Sequence, residues 1–241
     1  MISNKVDNKK IISIHQPNFI PWLGFFYKIY KSDIFVLLDN VQFPKESAAA
    51  RNYIKGKNGG KVLLSVSVKK SDGAFQNYNE IELDYTTKWN SKHLNQIKDA
   101  YIKSPYFNQY FPEFEAILKT KFSNLAELNI TIIKWVLKHL EINTEIELAS
   151  QFDNGGFGKK NDRNLNICLH FDANIYLSGI GAKQYNDENL YKESKVELQY
   201  LDYTPATYSQ INGGGFIPNL SVLDALFNCG PAAAALLKKE N

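Results

Sequence analysis

The stretch Ile11-Ile12-Ser13-Ile14-His15-Gln16-Pro17-Asn18, with Pro21-Trp22-Leu23-Gly24-Phe25-Phe26-Tyr27-Lys28-Ile29-Tyr30 and Ile34-Phe35-Val36-Leu37-Leu38-Asp39-Asn40-Val41-Gln42 after it, decides the fold. Ile11, Ile12 and Ile14 make a short apolar strand ending in a polar quartet. Leu23, Phe26, Tyr27 and Tyr30 recur at helical spacing, and Pro21 suits the first turn of that helix. Ser32-Asp33 breaks the helix, and residues 34–38 read as a continuous buried strand. A strand, a helix and a second apolar strand within about 30 residues make a βαβ unit with a parallel pair. In open parallel sheets ligands bind outside the carboxyl ends of the strands. Those ends carry His15-Gln16-Pro17-Asn18 and Asp39-Asn40-Val41-Gln42, and the two quartets are expected to face one crevice.

Working outward, Lys61 to Lys69 alternates like a strand, with Arg51 to Lys57 as the preceding hairpin arm across Asn58-Gly59-Gly60. A helical insertion is expected at about residues 88–140, where Leu94, Ile97 and Tyr101, then Phe114, Leu118 and Phe122, keep helical spacing. Asn124 with Glu127 resembles a capping arrangement that opens its last helix. Glu145 to Ser150 reads as strand, Gln151 to Asp162 as loop and Arg163 to Phe171 as helix. Asn174 to Leu177 reads as a strand running into Ser178-Gly179-Ile180-Gly181, and Val196 to Tyr200 as another. Ser221 to Asn228 is a helix closed by Cys229-Gly230-Pro231. The expected class is α/β: a mostly parallel sheet with flanking helices and the helical insertion, in one domain spanning residues 1–241.

Composition narrows the function. The chain has 241 residues, 44% hydrophobic and 22% charged, which describes a globular protein and excludes disorder, collagen and coiled coil as overall classes. Its two cysteines, Cys168 and Cys229, form no CxxC, so a disulfide scaffold or thiolate zinc site is not expected, and reduced thiols fit the cytoplasm. No apolar run approaches the roughly 18–20 residues that span a bilayer, and the N-terminus has no signal-peptide core. The net charge of +3 neither demands nor excludes an anionic partner. His93, His139 and His170 show no metal-ligand spacing, so the sequence carries no metal motif, and metal dependence and cofactors stay open. Arginine is scarce, with Arg51 and Arg163 against a lysine-rich background. A guanidinium grips phosphate or carboxylate in a fork that lysine does not reproduce.

Each candidate residue has a bland reading beside the functional one. His15 is a general base at a strand end, or a histidine bonded to backbone before a proline turn. Asp39 orients that histidine, binds a ribose or sugar hydroxyl or holds Mg²⁺, or it caps a helix or turn. Gln16, Asn18 and Gln42 read amides and hydroxyls of a ligand, or satisfy their own loops. Arg51 with Asn52 clamps an anion, or forms a surface ion pair worth little. Arg163 follows a glycine-containing loop and opens a helix, a geometry suited to anions. Ser178, Gly179 and Gly181 let backbone approach a ligand or simply turn the chain, and Tyr185 extends either role. Asp224 and Asn228 share a helix face, turned to the crevice or to solvent. Cys168 lies among apolar residues and reads as core.

The phrase from His15 to Phe26, Asp39-Asn40-Val41-Gln42-Phe43 with Arg51-Asn52, Tyr176-Leu177-Ser178-Gly179 through Ala182, and Pro218 to Gly230 together resemble the WbqC-like proteins over about residues 10–237. That resemblance implies a role in bacterial surface-polysaccharide and O-antigen synthesis. The expected task is acyl or aminoacyl transfer to the amine of a nucleotide-linked amino sugar. The expected catalytic pair is His15 and Asp39, and the nucleotide arrives as part of the substrate. The acyl donor, whether thioester, amino acid or charged tRNA, stays open. A second likeness joins the N-terminal βαβ unit to nucleotidylyl-transferase folds, which would imply ATP-dependent nucleotidyl transfer or carboxylate adenylation. The HxGH signature of those enzymes is incomplete here, since Gly24 has no neighbouring histidine. A non-catalytic subunit that binds a sugar nucleotide is the third expectation.

Overall fold

The computed structural model describes residues 9–43, 48–69 and 76–238. In chain order the elements are β1 (Ile11–His15), α1 (Leu23–Tyr30), β2 (Ile34–Leu37), β3 (Arg51–Lys55), β4 (Lys61–Ser65), α2 (Trp89–Tyr101), α3 (Phe107–Lys119) and α4 (Leu125–His139). They continue with β5 (Glu145–Leu148), α5 (Ala149–Phe152), α6 (Lys160–His170), β6 (Ile175–Gly179), α7 (Glu188–Glu193), β7 (Glu197–Leu201) and α8 (Val222–Cys229). The described residues fall into two compact units. One holds residues 9–15, 28–38 and 144–202, the other residues 16–27, 39–143 and 203–238.

The first unit is the α/β sheet that the opening stretch predicts. Its five strands run in the order β5-β2-β1-β6-β7, and every neighbouring pair is parallel. From β1 the chain steps outward to β2 and β5, then returns to the far side of β1 as β6 and β7. The reversal makes the β1/β6 boundary the topological switch point. Side chains alternate between faces. Ile12, Ile14, Ile34 and Val36 therefore share one face, packed with Leu165, Ile167 and Cys168 of α6. Ser13 and Phe35 point to the other face, where Lys28 and Ser32 lie.

The ladder is uneven. β1 pairs with β2 over four positions and β6 with β7 over five, but β1 pairs with β6 only at Ile11↔Ile175 and Ile12↔Tyr176. The carbonyls of Ile11 and His15 accept from Asp33 N and Leu38 N, on the β2 side. Alternation then turns the Ile14 carbonyl toward β6. It accepts instead from Lys28 Nζ at 2.9 Å. Across the gap the Leu177 carbonyl accepts from Ser13 Oγ at 2.9 Å, and Ser32 Oγ lies 2.7 Å from Ser13 Oγ.

In the second unit α2, α3 and α4 occupy the stretch expected to be helical, and β3 and β4 form the expected antiparallel hairpin from Arg51↔Ser65 to Lys55↔Lys61. Asn124 caps α4 by accepting from Glu127 N, and Glu127 reaches back to Ser123 N. Asn129, fully buried on α4, donates to the carbonyls of Pro17 and Ala49 and so fixes two loop segments at once. The strand expected over 61–69 stops at Ser65, and Val68 makes only an isolated bridge to Leu83. In the first unit, α6 begins three residues before its expected start, because Gly158 at φ 83° turns the chain early. The short α7 was also unforeseen. It depends on Asp187, whose carboxylate accepts from Asn189 N and Leu190 N.

Two predictions follow from packing. Gly230 ends α8 at φ 58°, and a Cβ there would lie 2.4 Å from the Tyr106 ring. Gly230→Ala is expected to cost roughly 2–4 kcal/mol through overpacking and left-handed strain. An unchanged urea midpoint would contradict this packing. Lys28 is buried, and burial alone lowers its pKa from 10.5 to about 7. Between those values the unfolded chain holds a proton that the folded chain lacks, so this group makes stability rise with pH across the window. Lys28→Met should flatten that rise, by a few kcal/mol at most between about pH 7 and pH 10. Parallel wild-type and variant stability curves would rule this out.

Candidate functional site

The carboxyl edge of the parallel sheet is where a polar site can be built in the first unit. β1 ends there in His15, β6 in Gly179 and β5 in Leu148. α6 connects β5 to β6 and must return to the amino end of β6, so its first turn also lies at this edge. Side-chain bonds tie the parts together. Asn161 Nδ2 donates to the Tyr185 carbonyl at 2.9 Å, Asn186 Nδ2 to Ser178 Oγ at 3.1 Å, and Asn164 Nδ2 to the Tyr176 hydroxyl at 3.2 Å.

Arg163 is held from beneath. Its Nε lies 3.0 Å from Asp153 Oδ2, with side-chain exposures of 13% and 0%, so the pair is largely removed from solvent screening. The other Asp153 oxygen accepts from Gly155 N at 2.8 Å and Phe157 N at 3.3 Å, which wraps the loop around the carboxylate. The approach at Nε is an ion pair without hydrogen-bond alignment, and the two terminal nitrogens carry four N–H donors. Gly179 ends β6 and Gly181 follows it. A Cβ at either position would meet nothing within 4 Å, and neither has a positive φ. Packing and backbone geometry therefore leave bare backbone and open space there. Ile180 and Tyr185 are exposed beside them.

The expected residues divide between the units. His15, Arg163, Ser178, Gly179, Gly181 and Tyr185 belong to the first unit, and Gln16, Asn18, Asp39, Gln42, Arg51, Asn52, Asp224 and Asn228 to the second. His15 is half-buried at its strand end, and the Ser178 side chain is buried against Asn186. In the second unit, Asn18 and Asp39 are buried, and the Asp39 carbonyl accepts from Asn79 N. Gln42 is exposed and bridges Asn77, while Asn52 donates to the Ile20 carbonyl at 2.8 Å. Arg51 opens β3 opposite Ser65.

Asp224 faces neither crevice nor solvent on its helix. It is fully buried and accepts from Tyr101 Oη, Tyr208 Oη and Gln210 Nε2, each at 2.8 Å. Burial raises its pKa, against the opposing pull of those bonds. Desolvation first, and then the same carboxylate, raise the pKa of the Tyr101 and Tyr208 hydroxyls. Asn228 donates to the Asp224 carbonyl and accepts from Ile211 N. The histidines outside the sheet edge have packing roles. His93 Nε2 accepts from Ser65 N, and burial lowers its pKa to about 4. His139 sits against Glu113, and His170 stacks on Phe152. Burial pushes the Cys168 thiol up to about 12, as expected of a core residue.

Sequence reasoning passed over Asp153, Asn186 and Lys28. Asp153 carried a faint signal, an acidic residue just ahead of Gly155-Gly156-Phe157-Gly158. Asp153→Ala is expected to cost roughly 3 kcal/mol or more, because it leaves a buried guanidinium uncompensated. Removing both charges with Asp153→Leu and Arg163→Met should recover most of that loss. Thermal unfolding of the three proteins checks it, and equal losses in the single and double variants would contradict the pairing.

No described helix is long and apolar enough to cross a membrane. Comparison with known proteins places the chain. It is 31% identical over 231 residues to the uncharacterized protein Rv1507c of Mycobacterium tuberculosis, an alignment covering 95% of this chain and 98% of that protein. No solved structure matches it. The sequence profile of the WbqC-like protein family matches residues 16–236. With a match that spans most of its length, the chain belongs to the WbqC-like protein family.

Proposed function

We propose that the protein is an enzyme of bacterial surface-polysaccharide synthesis that transfers an acyl or aminoacyl group to the amine of a nucleotide-linked amino sugar. The observation that supports this reading is the early end of β1/β6 pairing at the switch point, where β1 ends in His15 and β6 in Gly179. A crevice at such a strand end would suit a nucleotide or phosphorylated ligand. Membership of the WbqC-like family supports the polysaccharide setting. Arg163, held by Asp153, would take a phosphate or carboxylate at the start of α6, where a helix N-terminus favours negative charge. His15 would accept the proton that the sugar amine loses as its nitrogen bonds to the acyl carbon and the donor's leaving group departs. Ser178, Gly179 and Gly181 would contact the ligand through backbone, and Tyr185 would cover a sugar ring. Gln16, Asn18, Asp39, Gln42, Arg51 and Asn52 lie in the second unit and are proposed as ligand contacts of that unit by itself, each testable by its own substitution. A positioned base supplies roughly 10²–10⁴-fold, and the remainder would come from holding two substrates in reacting geometry.

The test pairs uridine diphosphate amino sugars with thioester, free amino acid and aminoacyl-tRNA donors, with mass spectrometry reading the product. A new amide on the sugar is the expected outcome. His15→Ala should cut turnover by about 10²–10⁴ while leaving sugar-nucleotide binding in place, and Arg163→Ala should weaken binding about tenfold or more. Full turnover in His15→Ala removes the base assignment. Pyrophosphate release from ATP in place of amide formation would replace acyl transfer with adenylation.

A further inference from the structure

The gap in the ladder is plugged from one side by an amine. Lys28 extends from the last turns of α1 and donates to the Ile14 carbonyl, one residue short of the end of β1, on the side where β6 has parted from it. Its Nζ also lies 5.9 Å from the Phe35 ring centroid. Ser13 and Ser32 fill the neighbouring space with hydroxyls. Among the described residues no carboxylate pairs with Lys28. The groups that face it can be named strand by strand from the alternation of side chains. β1 offers the His15 imidazole, β2 only Phe35 and Leu37, β6 only Leu177 and Gly179, and α1 itself Lys31. Among the described residues no anion shifts its titration: burial is the one cause acting on it.

We infer that Lys28 is the counter-cation of the crevice: it takes up a proton when a phosphate- or carboxylate-bearing ligand occupies the β1/β6 gap, and so couples binding to proton uptake. The inference rests on the anion-binding reading given above and adds a residue and a linkage to it. Burial alone holds the amine near the point of titration at neutral pH, with its pKa lowered to about 7. The strand rises about 3.3 Å per residue, so an anion at the strand end would lie within a few residues' rise of Nζ. At that separation, with an effective dielectric of about 20, an anion raises the amine's proton affinity on the order of tenfold. Linkage makes the effect reciprocal: the ligand binds more tightly to the protonated protein, and affinity falls as pH rises through the amine's titration.

The experiment is calorimetric titration of the full chain with uridine diphosphate, and with inorganic pyrophosphate, in buffers of different ionisation enthalpy at about pH 8. The terminal phosphate of uridine diphosphate is already largely deprotonated there, and any proton that pyrophosphate itself exchanges on binding is common to wild type and variants, so the difference between them reads Lys28. Wild type is expected to take up a few tenths of a proton per ligand bound. Lys28→Met should bind without that uptake. Lys28→Arg, which keeps a permanent charge, should also bind without it, and serves if the methionine variant fails to fold. Binding by wild type with no proton uptake, or uptake that persists in both variants, overturns the role of Lys28 and leaves the anion site standing. No binding of either probe overturns the site reading, and the inference with it.

Discussion

The parting of β6 from β1 after two paired residues is the constraint on which the rest of the first unit depends. Both strands are interior to the sheet, so every backbone group freed by the parting is in danger of burial without a partner. Each such group costs about 1–3 kcal/mol if left unsatisfied. Ser13 and Lys28 meet that demand at the Leu177 and Ile14 carbonyls. A serine in an otherwise apolar strand and a lysine on a buried helix face are poor choices for packing. They are good choices where a ladder of interior strands stops short. The stop falls where the chain reverses its direction of travel.

The surroundings of the gap divide the labour of positioning. Asp153 accepts from loop N–H groups on one oxygen and faces the Arg163 guanidinium as an ion pair on the other, which fixes the position of the guanidinium. The three asparagines Asn161, Asn164 and Asn186 bond across α6, β6 and the segment after β6, which fixes the lip without adding charge. The second unit uses similar residue types to the opposite end. Asp224 collects two phenols and an amide, and Lys55 donates to the Gly215 carbonyl nearby. That carboxylate is fully partnered and shut away from solvent, which is the signature of a structural hub.

Sequence made the sheet legible because its strands are apolar runs bounded by polar residues. Ile34 to Leu37 is buried on both faces and reads as nothing else. The strand-end position of His15, Ser178 and Gly179 was legible for the same reason. The Asn124–Glu127 cap was visible in the spacing, and the structure forms it. Lys28 was not legible: it falls between the apolar positions of α1, where a lysine normally reaches water. Only the neighbouring strand, brought close by the fold, supplies the carbonyl that draws it inward. Asp153 escaped because loop residues have no periodicity, and its partner lies ten positions away in a helix that begins earlier than expected. Asp224 had the right helix face but the wrong environment, since Tyr101, Tyr208 and Gln210 come from separate stretches of chain.

The proposed ligand, an anionic sugar nucleotide, should contact the first unit at the strand ends where β1 and β6 part. Amide chemical-shift mapping of the labelled full chain, titrated with a uridine diphosphate amino sugar, reads that directly. Perturbations concentrated at His15, at Ser178 to Gly181 and at the loop leading into Arg163 are what the broken ladder predicts. Shifts confined to the Asp224 hub and its neighbours, with the β1/β6 strand ends silent at saturation, would contradict it.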